Sequence, residues 1–271
     1  MAKPLILITN DDGIYSPGLL AAAEAVAPLG ELLIVAPRTQ QTSMGRSAMI
    51  GPDIGIIEEV LLTVAGEQVR AYAVHGTPAL AAAHGILELA SRKPSLCVSG
   101  INYGENLGAG MTMSGTVGAA LEASSLGVPA LATSIELDSA VAHSHEYVTL
   151  DWSMAIHFTH LAAKRILEQG LPATVAVINL NTPAGATTQT EVRTTHQSRQ
   201  LYYEWVVPTQ PRDFNAAFRL GKSILITQDT VLDADSDIAA FARDHVVSLT
   251  PLTWDLTARV DLAKWSAEFT L

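Results

Sequence analysis

Short apolar runs alternate with alanine-rich stretches along the first two thirds of the chain, and each apolar run stops at residues that turn the backbone. Strand-length runs separated by helix-length ones are the pattern of βα units around a parallel sheet, because a parallel partner strand requires a crossover and a helix is the usual one. The run Leu5–Ile8 ends at Asn10-Asp11-Asp12-Gly13, and Ser16-Pro17-Gly18 then reads as an N-cap with proline at the first helical position, opening a helix through Leu19 to Ala27. Glu31 to Ala36 is the second strand, and Thr77-Pro78 repeats the cap-plus-proline signal before Ala79 to Ala90. Ser95 to Ser99 predicts a buried strand, followed by a glycine-rich loop and a helix from Gly115 to Ser125. Ala130 to Ser134, a helix over Asp151 to Gln169, and Val175 to Leu180 complete the series.

The composition changes after residue 180. Asn181 to Ala239 is richer in Thr, Gln and Arg, with β-prone residues Tyr202, Tyr203, Trp205, Val206 and Val207 broken by polar ones, a pattern of hairpins rather than further crossovers. The three aromatics are expected to pack rather than to bind a ligand. Val246 to Pro251 returns to a core-like strand, and Asp261 to Glu268 reads as a terminal helix. The expected organisation is a catalytic core over 1–180, an extension serving oligomerisation over 181–239, and a core-returning strand plus C-terminal helix over 240–271.

With 48% apolar and 16% charged residues in 271, a large core is available. The formal net charge of -11 and the lack of a basic stripe argue against nucleic-acid binding, which relies on cationic side chains. A single cysteine, Cys97, excludes an internal disulfide and is expected to pack in its strand. No secretory leader or long uncharged span is evident, so a soluble, cytoplasmic protein without membrane partners is expected.

Asp11 and Asp12 are adjacent carboxylates at a strand end, where ligands of open α/β sheets bind. Such neighbours repel unless a proton or cation relieves them, and a hard divalent cation is the simplest relief. The competing reading is a turn capped by Asx side chains. The loop Gly100-Ile101-Asn102-Tyr103-Gly104-Glu105-Asn106-Leu107-Gly108 follows another buried strand and is expected at the same sheet edge, where Asn102 can offer a carbonyl oxygen to a cation. Ser114, Gly115 and Thr116 open a helix whose N-terminus suits a phosphate. Between the second strand and Ser47, a polar loop supplies hydroxyls and the arginines Arg38 and Arg46, the latter two able to meet phosphate or simply solvent. The eight histidines form no ligand set, and His143, His145 and Glu146 read as surface residues.

These motifs, taken together with Ala36-Pro37, His75-Gly76-Thr77-Pro78, Asn106-Leu107-Gly108, Ser114-Gly115-Thr116-Val117-Gly118-Ala119-Ala120 and Thr250-Pro251-Leu252, resemble the survival protein SurE family of metal-dependent nucleoside monophosphate phosphatases. The resemblance implies a Rossmann-like three-layer core with a mostly parallel sheet, a hairpin-bearing extension, and a homodimer or homotetramer with exchanged C-terminal elements. It implies one divalent metal per subunit, Mg²⁺ or Mn²⁺, held by Asp11, Asp12, Asn102 and a loop hydroxyl that falls on Thr42, with Ser43 as the alternative. Asn10, Asn106, Ser114, Gly115 and Thr116 are the corresponding substrate and phosphate contacts. The chain departs from the family at Ala109-Gly110, where acidic residues are usual, and at the alanine-rich Ala79–Ala83.

The expected chemistry is hydrolysis of nucleoside 5′-monophosphates, extending to 3′-monophosphates, with Asp11, Asp12 and Asn102 as the catalytic centre. A covalent aspartyl-phosphate route is disfavoured, because adjacent carboxylates on an extended chain point in different directions. A nucleotide-binding or interaction protein with weakened turnover is the second reading, resting on Ala109-Gly110 and the altered hydroxyl loop.

Overall fold

The computed structural model describes residues 3–137, 147–209, 211–215, 220–224, 226 and 230–269. His143, His145 and Glu146 lie outside the described residues.

The strand order confirms the α/β expectation. In chain order the elements begin with β1 (Leu5–Thr9), α1 (Pro17–Val26), β2 (Glu31–Pro37), β3 (Ile57–Val64), β4 (Glu67–Val74) and α2 (Pro78–His84). There follow β5 (Leu96–Tyr103), α3 (Gly115–Ser125), β6 (Ala130–Ile135), α4 (Ser153–Gln169) and β7 (Val177–Thr182). The last group is β8 (Val192–Thr194), β9 (Tyr203–Trp205), β10 (Lys222–Ile224), β11 (Val247–Leu252) and α5 (Leu262–Glu268). Among the described residues nine strands form one sheet in the order β3-β4-β2-β1-β5-β6-β7-β11-β8. From β4 to β7 every neighbouring pair is parallel, while β3 and β11 run antiparallel to β4 and β7.

Alternation along β1 sets the layers. Ile6 and Ile8 join a core cluster with Leu19 of α1 and Phe158 of α4, whereas Leu5 and Leu7 join a second cluster with Ala81 of α2 and Val117 of α3. The period-2 side-chain geometry of a strand thus places one helical layer on each sheet face. Both cap-plus-proline signals act as read: Ser16 Oγ accepts from Gly18 N–H at 3.2 Å, and Thr77 Oγ1 from Leu80 N–H at 3.2 Å.

Four differences from the sequence reading have physical causes. The helix expected to reach Ala90 is α-helical only to His84 and then widens into a π-type turn over Gly85–Leu89, where Gly85 sits so close to the sheet that a Cβ would stand 2.8 Å from Leu7 Cδ1. Strand β5 does not stop at Ser99; it continues to Tyr103 through a register shift between Ser99 and Asn102. The hairpin of β3 and β4, with Ala65 and Gly66 both at positive φ in its turn, escaped the sequence reading because its charged outward residues mask the alternation. Among the described residues of 181–239, β9 and β10 form a separate antiparallel ribbon, whereas β8 joins the main sheet beside β11.

The ribbon is tied down by a small third cluster of Leu107, Tyr202, Ile238 and Phe241. Tyr202 packs there as expected, and Trp205 remains half-exposed. Asp261 caps the N-terminus of α5, whose residues are all exposed. Among the described residues no helix is long and apolar enough to cross a membrane.

Candidate active site

The carboxyl end of β1 enters a tight turn stabilised by Asn10, whose Oδ1 accepts from Gly13 N–H and whose Nδ2 donates to Gly13 carbonyl, each at 3.1 Å. Gly13 adopts φ of +101°, which a side chain would disfavour. Both ends of the Asn10 amide are therefore engaged in shaping this turn. The geometry leaves Asp11 and Asp12 only 3% and 2% exposed at the sheet edge.

Asp11 faces the N-terminus of α3. Thr116 Oγ1 donates to Asp11 Oδ1 at 2.6 Å, and the backbone N–H groups of Gly115 and Thr116 bond to the same carboxylate. A Cβ on Gly115 would stand 2.7 Å from Asp11 Cβ, so only glycine admits this approach. Burial nevertheless pushes Asp11 up to about 6, the hydrogen bonds opposing it. Asp12 is held well above the usual carboxylate range by burial and by the charge of Asp11, although Tyr103 N–H, at 3.3 Å from Oδ2, and the Gln40 side chain both donate to it.

The helix N-terminus expected to cradle phosphate is thus already facing Asp11. Ser114 Oγ caps α3 by accepting from Val117 N–H at 3.1 Å, and Thr116 is fully buried. Ser114 alone of the three is partly accessible.

The β5 bulge carries Asn102 to the same edge. Its Nδ2 donates to the carbonyls of Gly104, at 2.6 Å, and Tyr103, at 3.2 Å, leaving Oδ1 as the atom able to meet a cation. Asn106 is fixed more heavily: its N–H donates to Asn181 Oδ1 at 2.8 Å, its carbonyl accepts from Asn179 and Asn181, and its Nδ2 donates to Ser134 Oγ at 2.9 Å. Further along the loop, Gly108 N–H donates to Asp237 Oδ2 at 2.9 Å, and its carbonyl accepts from Gln197. Glu105, buried beside Asn106, accepts the Tyr203 hydroxyl hydrogen from the ribbon and is pushed up to about 6 by burial.

The loop after β2 wraps over Asp11. Gln41 N–H donates to the Asp11 carbonyl at 2.6 Å, and Gly45 N–H to Met113 carbonyl at 3.0 Å. Thr42 and Ser43 occupy an exposed turn, Ser43 at φ of +65°, and neither hydroxyl bonds to Asp11, Asp12 or Asn102. The two arginines are each engaged by a carboxylate, Arg38 with Glu58 at 3.2 Å and Arg46 with Glu122 at 2.6 Å.

Two buried carboxylates with no compensating cation are costly when ionised. Among the described residues neither Asp11 nor Asp12 makes an ion pair with Lys, Arg or His, and no three or more His, Cys, Asp or Glu side chains are grouped so that they could hold a metal ion by themselves. A cation at this edge would have two carboxylates and otherwise neutral oxygens such as Asn102 Oδ1. That donor set fits a hard divalent ion rather than zinc or copper.

The sequence reading missed Gln40, Asn179, Asn181 and Asp237. A signal existed for two of them, because Asn179 and Asn181 alternate within an apolar run and so share one face of β7. Gln40 and Asp237 stand in loop-like surroundings that mark neither.

Comparisons with known proteins bear on the family and the fold. The family model described as Survival protein SurE matches residues 6–204. A 5′-nucleotidase SurE from Methanocella arvoryzae is 42% identical over 260 residues, covering 93% of each chain. Another of that name, from Methanothermobacter thermautotrophicus, is 44% identical over 199 residues, covering 73% of this chain and 74% of the relative. The crystal structure of a SurE protein from Aquifex aeolicus superposes with a TM-score of 0.73 at 26% identity, over 98% of this chain and 99% of that one. With the matched residues spanning most of the chain, and the motif-bearing strand ends meeting at one sheet edge, this chain belongs to the survival protein SurE family.

Proposed function

We propose that the chain is a phosphoric monoester hydrolase, a divalent-metal-dependent 5′-nucleotidase that also accepts nucleoside 3′-monophosphates. The observation that carries this reading is the pair Asp11 and Asp12, buried side by side at the carboxyl edge of a parallel sheet with no cationic partner among the described residues. Its curated relatives bear the name 5′-nucleotidase SurE.

Asp11, Asp12, Asn102 and a hydroxyl of Thr42 or Ser43 would hold one Mg²⁺ or Mn²⁺ per subunit. When bound, that ion supplies Lewis acidity and positive charge to the phosphoryl group. Asp11 orients against α3 through Thr116 and Gly115, which fixes the carboxylate before substrate arrives. One of the two aspartates accepts the proton of the attacking water. Ser114, at the accessible lip of the α3 N-terminus, is the phosphate contact, with Gly115 and Thr116 lending the dipole of the helix end. Asn106, clamped by Asn179 and Asn181, holds the substrate loop in register, and Asn10 holds the turn.

We assign catalysis to residues 1–180, assembly into a homodimer or homotetramer to 181–239, and its completion to 240–271, in a cytoplasmic protein. A phosphate-release panel on nucleoside 5′- and 3′-monophosphates with Mg²⁺, Mn²⁺ or chelator tests the reading. Release that depends on metal is expected. Nucleotide binding without metal-stimulated release would favour the weakened scaffold instead.

A further inference from the structure

Two tyrosines flank Asp12, and nothing in the chemistry above uses their rings. Tyr103, the last residue of β5, donates its N–H to Asp12 Oδ2 at 3.3 Å, and Tyr147 donates its hydroxyl hydrogen to the Asp12 carbonyl at 2.8 Å. The rings lie nearly parallel, at 22° with centroids 6.0 Å apart. Trp152, at the start of α4, meets Tyr103 edge-on at 4.9 Å and 89°, bracing it from the helical layer. Tyr103 Oη is tied in turn to the Val148 carbonyl at 3.3 Å.

We infer that Tyr103 and Tyr147 form the platform on which the base of a nucleoside monophosphate stacks, so that the site discriminates nucleotides from sugar phosphates of equal charge. The inference rests on the phosphatase reading for its reaction and adds the group that recognises the leaving alcohol. Three features support it. Tyr147 is 45% exposed and Tyr103 half-buried, so the rings are not core, although residues on the sheet just behind them are fully buried. Both residues are one hydrogen bond from Asp12, Tyr103 through its backbone N–H and Tyr147 through its ring hydroxyl, and a base lies one sugar away from the phosphate it carries. Both hydroxyls are committed to backbone carbonyls, which leaves ring faces rather than hydrogen-bonding edges for the substrate. Stacking on a face is tolerant of base identity, since every base has a π-face. The site should therefore accept all common bases, with purines ahead of pyrimidines because their rings cover more of the platform.

The test compares kcat/KM for AMP and ribose 5-phosphate in the metal-loaded wild type, Tyr147→Ala and Tyr147→Phe, with calorimetric binding of both compounds alongside. The AMP-to-ribose-5-phosphate ratio is expected to fall about tenfold in Tyr147→Ala, through KM, and to persist in Tyr147→Phe, which keeps the ring. An unchanged ratio in Tyr147→Ala overturns the platform. Equal loss in both variants also overturns it, by assigning the effect to the bond with the Asp12 carbonyl. Absence of release from every ester overturns the phosphatase reading alone, and the calorimetric ratio then decides the platform.

Discussion

Thr116 and Asp11 are 105 positions apart in sequence and 2.6 Å apart in space. This hydrogen bond joins the end of the first strand to the start of α3, and with Gly115 it gives a buried carboxylate three donors from one helix terminus. The donors lower the cost of burial without cancelling it, since Asp11 still stands near 6. A site tuned in this way keeps its carboxylate oriented and still gains from a cation.

The sign of that tuning predicts a pH dependence. Both aspartates are raised above the ordinary value of 3.8, so the metal-free folded state is favoured by protonation. Their contribution to stability is fully present below about pH 4 and is lost as pH rises through about 6 for Asp11. A divalent cation that needs the ionised pair should therefore raise the melting temperature little at pH 5 and clearly at pH 7.5, releasing protons as it binds near pH 6. Differential scanning fluorimetry with Mn²⁺ against chelator reads this directly. An equal increment at both pH values would contradict it.

Asp11→Asn should separate stability from activity. The amide keeps an oxygen for Thr116 but removes a buried charge, so at pH 7.5 the metal-free variant is expected to be more stable than wild type by about 1 kcal/mol. Phosphate release should fall at least about 100-fold, the scale of losing one preorganised charge-stabilising group. Chemical denaturation and a phosphate assay on one preparation check both directions.

Gly115→Ala forces a methyl group to within 2.7 Å of Asp11 Cβ, where no flexible side-chain end can yield. Overpacking of this kind costs about 1–3 kcal/mol. The displaced carboxylate should also weaken metal binding, so a Mn²⁺ titration followed calorimetrically should show reduced affinity. Wild-type affinity in the variant would mean that α3 does not position Asp11.

Asp237→Ala tests the support of the substrate loop from the far end of the chain. The carboxylate accepts backbone N–H groups of Gly108, Ser198 and Ile238 at 2.8–2.9 Å. Truncation leaves these buried donors unpaired, at a cost of about 3 kcal/mol. Hydrogen exchange should show the amide of Gly108 losing protection, while that of Ile8 in the central strand stays protected up to global unfolding.

Much of the core was legible because its signals are local. The two cap-plus-proline motifs, the α3 boundaries and the strand end at Asp11 each depend on a few consecutive residues, and each formed where expected. The hairpin over Ile57–Val74 was not legible, since Glu58, Glu59 and Arg70 break an alternation that only the turn at Ala65-Gly66 completes. Of the residues proposed for the site, those at strand ends were legible in the sequence, and those held by long-range bonds were not. Gln40 reaches Asp12 across a loop, and Asp237 reaches Gly108 from 129 positions away.

The sequence by itself determined the α/β class, the family and the adjacency of Asp11 and Asp12, because periodicity, caps and short motifs are written in neighbouring residues. Only the tertiary structure decided what those carboxylates face. The α3 terminus, read as a free phosphate cradle, turned out to bond Asp11. The arginines of the β2 loop turned out to be paired with Glu58 and Glu122. Hydrogen-bond and ion-pair partners are chosen by which groups the packed layers bring within about 3 Å of one another, and no local pattern of residues encodes that choice.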